Sequence, residues 1–160
     1  MFSREQLNSL FHYCLSLTAE IAAAEDLLHN SIEKMLKRPR TIEFEMAYAR
    51  RVIRNRFIDD CRRKNNVEFE PIDYHEPVLL DENDIEQLLI DQDHVSKLMA
   101  LLSASEREVL FLWAVEGYSA AEIAAHTDSP RGTILARLFR VRQKIKKIED
   151  SASNKEGVNP

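Results

Sequence analysis

The feature that most restricts the fold of this chain is the pattern of residues 117–147, GYSAAEIAAHTDSPRGTILARLFRVRQKIKK. Ser119 stands where a helix N-cap belongs. Glu122, three residues later, completes the capping-box pattern for a short helix over residues 120–125. The stretch therefore begins as a short, well-capped helix.

A second helix start follows within a few residues. His126, Thr127 and Asp128 interrupt the apolar pattern and are able to turn the chain, and Asp tolerates a left-handed turn position better than most residues. Ser129 is a second candidate N-cap, and Pro130 suits the first helical position because its missing N–H costs nothing there. We therefore predict a helix-turn-helix.

The second helix of this motif is predicted to run from about Pro130 to Ile148. An apolar stripe at helical spacing predicts its buried face and consists of Ile134, Leu138, Val141 and Ile145. The other positions carry seven cations and no acid before Glu149: Arg131, Arg137, Arg140, Arg142, Lys144, Lys146 and Lys147. A solvated helix usually mixes both signs of charge, so this helix is predicted to bind the major groove and phosphates of DNA. The alternative is a basic surface helix with no ligand.

The net charge of −5 argues against nucleic-acid binding until its distribution is considered. Residues 1–64 hold 12 Lys and Arg against nine Asp and Glu, whereas residues 65–100 hold ten acids and one cation, Lys97. With the basic helix near the C-terminus, the chain is basic, acidic and basic in turn. This order is expected of a protein that touches DNA at two places.

Composition narrows the fold class. The 160 residues include 44% hydrophobic and 31% charged residues but few Gly or Pro, as in helical globular proteins. No apolar run approaches a membrane span, and the N-terminus lacks the features of a signal peptide. Cys14 and Cys61 are predicted to be reduced core residues. We expect a cytoplasmic protein.

Helical periodicity divides the chain into two predicted domains. Amphipathic patterns predict helices over residues 3–17, 22–36, 44–64, 84–102 and 103–116. In the second of these Leu36 is predicted to face inward, and the last is predicted to start with a capping box of Ser105 and Glu108. The predicted fold is all-α, with two small helical domains joined by an acidic flexible linker, the C-terminal domain being the helix-turn-helix. The predicted boundaries are 1–65 and 84–150 for the domains, 66–83 for the linker and 151–160 for a disordered tail.

Three blocks of sequence resemble one bacterial family. LSLTAEIAAAEDLLHNSIEKML carries Glu25, Asp26 and Leu27 on an A-E-D-L signature, and YARRVIRNRFIDDCRRK places Arg54, Asn55 and Asp59 in register with an R-N-x-x-x-D segment. LLSASEREVLFLWAVEGYSAAEIAAHTDSPRGTILARLFRVRQKI matches the third block closely. Over residues 4–64 and 90–147 the chain thus resembles a sigma factor of RNA polymerase, of the extracytoplasmic-function (ECF, group IV) type.

The resemblance implies three binding surfaces. The first domain resembles sigma domain two and the second domain sigma domain four. The implied core-polymerase-binding residues are Glu25, Asp26, Leu27, His29 and Asn30. The implied contacts to the minus-ten element, with Asn55 near a flipped base, are Lys37, Arg38, Arg40, Arg50, Arg51, Arg54, Asn55, Arg56, Arg62 and Arg63. The implied contacts to the minus-thirty-five duplex are Ser119, Arg131, Thr133, Ile134, Arg137, Arg140, Arg142 and Lys144.

The chain departs from the family on the docking face. Ala23, His29 and Asn30 stand where the family carries acids or amides, so core docking is predicted to be weak and open to regulation. Phosphorylation of Thr18 or Ser31 would restore negative charge, which makes a kinase a candidate partner beside an anti-sigma factor. The other predicted partners are core RNA polymerase, duplex promoter DNA and single-stranded minus-ten DNA.

Other classes of function are considered beside this one. A standalone helix-turn-helix regulator would use the first domain for dimerisation or sensing, but it leaves the Arg-rich third helix unexplained. A degenerate sigma-like protein would act only through protein contacts. The five histidines lack metal-ligand spacing, and no phosphate loop or nucleophile motif occurs. We therefore predict no enzyme activity, no catalytic residue, no metal and no cofactor.

Overall fold

A computed structural model describes residues 2–37, 46–64 and 92–156, with the backbone alone for 92–96 and 152–156. The regular elements in these ranges are α-helices: α1 (Arg4–Thr18), α2 (Ile21–Leu36), α3 (Met46–Arg63), α4 (Gln92–Leu101), α5 (Ala104–Ala114), α6 (Ala120–Thr127) and α7 (Arg131–Glu156). The prediction of an all-α chain is confirmed.

The chain divides into two compact units, Met1–Glu70 and Pro71–Pro160. The predicted acidic linker, residues 66–83, and the first residues of the predicted second domain lie outside the described ranges. The domain boundaries that we drew from the sequence remain predictions.

Unit 1 consists of α1, α2 and α3, each packed against the other two. Its interior is formed mainly by Leu10, Tyr13, Cys14 and Leu17 of α1, Ala24, Leu27 and Met35 of α2, and Ala49, Ile53 and Cys61 of α3. Both cysteines are free and buried, as predicted. Burial raises the pKa of the Cys14 thiol to about 12, so the thiol stays protonated and unreactive.

The turn between α1 and α2 uses a residue that rarely adopts its conformation. Ala19 has φ 61° and caps α1 by donating its N–H to the Leu15 carbonyl at 2.8 Å. A left-handed C-cap is usually glycine, because other residues pay a steric cost there. The strain is confined to one residue of a short connection.

Unit 2 is assembled around α7, which packs against α4, α5 and α6. A core cluster joins three of these helices and consists of Leu98, Leu102, Leu110, Val141, Ile145 and Ile148, with Met99, Trp113 and Ala114 packed against it. The predicted stripe of α7 is confirmed, since Ile134, Leu138, Val141 and Ile145 are all 0% exposed.

Three local predictions were wrong. The capping box of α5 is formed by Ser103 and Glu106, while Ser105 and Glu108 are buried. Leu36 is exposed, because it lies at the last position of α2. Helix α7 extends to Glu156, where we predicted a tail from Ser151, because the first helix breaker in that stretch is Gly157.

Candidate nucleic-acid interface and docking surface

The helix-turn-helix forms as its local sequence predicts. Ser119 caps α6 by accepting the Glu122 N–H at 3.1 Å, and the Glu122 carboxylate accepts the Ser119 N–H at 3.2 Å. Asp128 adopts the left-handed conformation, with φ 52° and ψ 44°, and donates its N–H to the Ala124 carbonyl. Ser119 is therefore an exposed capping residue at the entrance of the motif.

The turn into α7 differs from the prediction by one residue. Helix α7 begins at Arg131, and the Pro130 carbonyl accepts the N–H groups of Thr133 and Ile134. The Ser129 hydroxyl donates to the Thr127 carbonyl at 3.2 Å. Ser129 thus stabilises the turn before α7, and we correct its predicted role as the N-cap.

Side chains at the two ends of α6 lie against each other. The ring of Tyr118 meets the ring of His126 edge-on, with centroids 6.0 Å apart. His126 and Thr127 are buried, and the Thr127 hydroxyl donates to the Ile123 carbonyl at 2.8 Å. His126 and Thr127, which were predicted only to turn the chain, are therefore part of the interior.

The structure separates the residues predicted to contact the minus-thirty-five duplex into two groups. Ile134 is 0% and Arg137 is 4% exposed, because both lie on the face of α7 that packs into unit 2. This corrects their assignment to the groove. Arg131 is exposed, and the half-buried members are Thr133, Arg140, Arg142 and Lys144. Lys146 and Lys147, which belong to the predicted DNA-binding helix but were not among the implied minus-thirty-five contacts, are also exposed.

Lys144 has partners inside the protein. Its Nζ donates to Oε1 of Glu106 at 2.8 Å and to the Leu101 carbonyl at 2.8 Å. The sequence pattern assigned Lys144 to DNA, yet its ammonium is held within unit 2. No local signal indicated this pair, because its two residues are 38 positions apart.

Glu106 stays ionised in this setting. Burial disfavours its charged form, but hydrogen bonds from Lys144 and from the backbone and hydroxyl of Ser103 outweigh the burial and hold the pKa of Glu106 below its ordinary value. Oε1 of Glu106 also accepts the Ser103 N–H at 3.2 Å. One carboxylate oxygen thus serves both the capping box and the ion pair.

The predicted minus-ten residues of α3 also divide into two groups. Arg50 and Arg54 are 6% and 9% exposed, so they belong to the interior of unit 1 and not to a DNA-facing surface. The second group is exposed and lies on one face of α3 and in its C-terminal turn: Arg51, Asn55, Arg62 and Arg63. Arg56 is half-buried, and its Nε lies 3.7 Å from the Asp60 carboxylate.

The remaining predicted minus-ten residues follow α2. Lys37 is exposed and pairs with Glu33 at 3.1 Å. The hydrogen bond and charge of Lys37 lower the pKa of Glu33. Arg38 and Arg40 lie outside the described residues.

The predicted docking residues of α2 share one exposed face, with one exception. Glu25, Asp26, His29 and Asn30 are exposed and stand one helical turn apart in pairs. Leu27 is 5% exposed and packs in unit 1, so it supports this face from inside. Glu33 continues the face by one turn and was missed from the sequence, although its position four residues after His29 indicates it.

The two candidate phosphorylation sites are not equivalent. Ser31 is 0% exposed, which contradicts its prediction as a kinase target. The Thr18 hydroxyl is within hydrogen-bond distance of the Cys14 and Glu20 carbonyls, at 3.0 and 3.2 Å. Added negative charge at this end of α1 would oppose the helix dipole, so the structure offers no support for Thr18 as a target.

Within the described ranges, no cluster of three or more His, Cys, Asp or Glu side chains is arranged to hold a metal ion. In that part of the chain, no helix has both the length and the apolar character that a membrane span needs.

Comparison with known proteins agrees with this arrangement. Residues 93–145 match the family model described as Sigma-70, region 4, and this range contains the helix-turn-helix. The fold is similar to that of a solved sigma factor, RpoE from Bartonella quintana, crystallised in complex with the anti-sigma factor NepR. The TM-score is 0.61 at 23% sequence identity, and the match covers 91% of this chain and 92% of that chain.

The region 4 match supplies the family evidence, and the structural match shows that the fold is shared along nearly the whole chain. Neither finding favours a standalone regulator. Together they support the resemblance stated from the sequence, to a sigma factor of the extracytoplasmic-function type.

Proposed function

We propose that the chain acts as a sigma factor of the extracytoplasmic-function type, which binds core RNA polymerase through the exposed face of α2 and reads its promoters with one basic surface on each unit. The observation that carries the proposal is the pairing of a region 4 helix-turn-helix in unit 2 with a separate arginine-bearing helix, α3, in unit 1. A standalone regulator needs the first of these surfaces but has no use for the second.

The minus-thirty-five element is the proposed ligand of unit 2. Arg131 and Thr133 stand in the first turn of α7, the end of a recognition helix that meets base edges. The cations placed to hold phosphates along the helix are Arg140, Arg142, Lys146 and Lys147. Single-stranded minus-ten DNA is the proposed ligand of Arg51, Asn55, Arg62 and Arg63 in unit 1.

Core polymerase is the proposed partner of the α2 face. Glu25, Asp26 and Glu33 supply its negative charge, and Lys37 offsets part of the contribution of Glu33. Exposed ion pairs are worth about 0.2–1 kcal/mol each, but several in one interface also accelerate association. This face is thus weakly acidic, and we propose that core docking is correspondingly weak.

Three further features belong to the proposal. An anti-sigma factor is a proposed partner, because the solved RpoE structure of similar fold is held by one. The chain is proposed to have no enzyme activity, since sigma factors act on transcription by binding. We propose a cytoplasmic location, where core polymerase works.

Multi-round transcription with purified core polymerase on genomic fragments tests the function. The complete chain is expected to produce specific transcripts that core alone does not. Asp26→Arg is expected to reduce transcript yield, and excess core to restore part of it, because the substitution reverses a charge on the docking face. Glu5→Arg makes the same change on an exposed position of α1 and serves as the control.

Absence of any specific transcript from the unmodified chain would contradict the proposed function. If Glu5→Arg reduced the yield as much as Asp26→Arg, the α2 face would lose its assigned role.

A further inference from the structure

We infer that Lys144 is a positioning residue: its ion pair with Glu106 fixes the orientation of the recognition helix α7, and its charge is used inside unit 2 and not on DNA. The inference rests on the proposed function of α7 as the minus-thirty-five reader. It assigns Lys144 a role different from that of the other cations of this helix.

The geometry places one ammonium group where three helices meet. Lys144 belongs to α7, Leu101 is the last residue of α4, and Glu106 lies in the first turn of α5. The Lys144 Nζ donates to the Leu101 carbonyl and to Oε1 of Glu106, both at 2.8 Å. A single side chain therefore connects the recognition helix to the junction of the two helices that support it.

At the junction of α4 and α5, the Lys144 ammonium binds polar groups that have no partner within a helix. The last carbonyls of a helix lack partners within the helix and carry the negative end of its dipole. The Lys144 ammonium donates to the Leu101 carbonyl, and the Arg107 guanidinium donates to the Leu102 carbonyl at 2.7 Å. Two cations thus complete the end of α4, and only Lys144 comes from the recognition helix.

The carboxylate depends on this cation. The Glu106 side chain is 6% exposed and its Oε2 is buried without a hydrogen-bond partner among the described residues. Removing the cation would leave a buried charge supported only by Ser103, and such a loss costs more than the net worth of the pair. The Lys144 side chain is 32% exposed, so its aliphatic stem spans the edge of the core.

The position of Lys144 in α7 explains why this pair acts on orientation. Val141, Ile145 and Ile148 surround it in the sequence and anchor the same segment of α7 in the core cluster. An apolar stripe alone allows some rotation and sliding, whereas a charged hydrogen bond has a defined length and direction. Recognition needs the first turn of α7 to be held closely, because small displacements weaken contacts to base edges.

Matched variants distinguish positioning from phosphate binding. Glu106→Gln removes the ion pair but keeps a capping box, since glutamine serves at that position as well as glutamate. Lys144→Met removes the charge and keeps the stem. Lys146→Met removes the same charge from an exposed neighbour on α7, and Lys144→Arg retains a cation.

The experiment uses holoenzyme assembled from core polymerase and the complete chain, on a promoter fragment that it transcribes. Affinity is measured against salt for this fragment and for one whose minus-thirty-five element is replaced. The ratio of the two affinities reports base reading, and the salt slope reports the number of phosphate contacts. Thermal melting confirms that each variant is folded at the assay temperature.

If Lys144 is a positioning residue, removing either partner of the ion pair should have the same effect on promoter recognition. Glu106→Gln and Lys144→Met should each lower the affinity ratio, by about 5- to 30-fold, the factor that one or two kcal/mol supplies. Combining them should cause little additional loss, because each removes the same interaction. Glu106→Gln should leave the salt slope unchanged, and Lys144→Arg should retain most of the ratio of the unmodified chain. Lys146→Met should keep the ratio and reduce the slope by about one.

The opposite pattern overturns the inference. If Glu106→Gln behaves like the unmodified chain while Lys144→Met lowers the slope by about one on both fragments, Lys144 is a phosphate contact. In that case the proposed function survives. If the unmodified holoenzyme shows no dependence on the minus-thirty-five element, the proposed function of α7 fails, and the positioning role fails with it.

Discussion

Helices α3 and α7 are both rich in arginine, but they are held in their units in different ways. The inward face of α7 is mainly an aliphatic stripe, with Ile134, Leu138, Val141 and Ile145 at 0% exposure, and includes one arginine, Arg137. The inward face of α3 includes two arginines, Arg50 and Arg54, beside Ala49 and Ile53. Arginine content therefore does not identify a DNA surface in either helix, since some guanidinium groups serve the interior.

The comparison predicts which substitutions act on folding and which act on binding. In α7, folding depends on the stripe and on the Lys144–Glu106 pair, while the exposed cations are available to a ligand. In α3, folding depends partly on the arginines themselves. Four substitutions, taken in order of expected effect, test this division.

The largest effect is expected from the stripe of α7. Leu138→Ala should lower the free energy of unfolding of unit 2 by about 2–5 kcal/mol, because it removes buried methyl groups and leaves a cavity. Chemical denaturation of the complete chain, followed through Trp113, measures this. The exposed Gln143→Ala on the same helix is the control and should change stability by no more than about 0.5 kcal/mol.

A smaller loss is expected from a buried arginine of α3. Arg54→Ala should destabilise unit 1 by about 1–3 kcal/mol, because it removes a packed stem from the interior and leaves a cavity. Hydrogen exchange of unit 1 amides reports this. Arg51→Ala, on the exposed face of the same helix, should leave exchange unchanged and weaken only minus-ten binding. Equal protection in both variants would show that Arg54 is not a structural residue.

A pH-dependent loss is expected at the α4–α5 junction. The pKa of Glu106 is lower in the folded protein than its ordinary value of 4.5, with Lys144 and Ser103 as the groups that favour its charge. The stabilisation is therefore fully present above pH 4.5 and disappears as the pH falls through the folded pKa. Unfolding free energies between pH 7 and pH 3 should fall more steeply in the unmodified protein than in Glu106→Gln. Parallel curves would contradict the ion pair as a source of stability.

The smallest effect on folding is expected at the exposed start of α7. Arg131→Ala should change the free energy of unfolding by no more than about 0.5 kcal/mol. On promoter DNA bound to holoenzyme, the same variant should lose about 1–3 kcal/mol if Arg131 reads a base, with relaxed specificity at one or two positions. A uniform loss on all sequences, with a salt slope lower by about one, would make Arg131 a phosphate contact instead.

Local patterns predicted much of this structure. The capping box of Ser119 and Glu122 and the turn at Asp128 depend on residues within a few positions of one another, so the sequence alone located them. The stripe of α7 follows from helical periodicity. The predicted docking residues came from the family resemblance, and four of them, Glu25, Asp26, His29 and Asn30, share one exposed face of a single helix.

Long-range contacts account for what the sequence did not predict. Two overlapping patterns, one from Ser103 to Glu106 and one from Ser105 to Glu108, fit a capping box equally well, and Glu106 is the acid that the distant Lys144 contacts. Arg137 is buried, unlike the other arginines of α7, because it lies beside Leu138 on the packed face. Its burial follows from tertiary packing, which charge patterning does not encode.

The central claim is that two basic surfaces on two units act together only when core polymerase holds both on one promoter. It is tested most directly by measuring the affinity of the complete chain for a transcribed promoter fragment, with and without core, at fixed salt. The free chain should bind weakly and with little sequence preference, because each unit contacts few phosphates and the chain carries a net charge of −5. Holoenzyme should bind tightly and selectively, since core raises the effective concentration of each unit at its element. Nanomolar, sequence-specific binding by the free chain would contradict the claim and favour a standalone regulator.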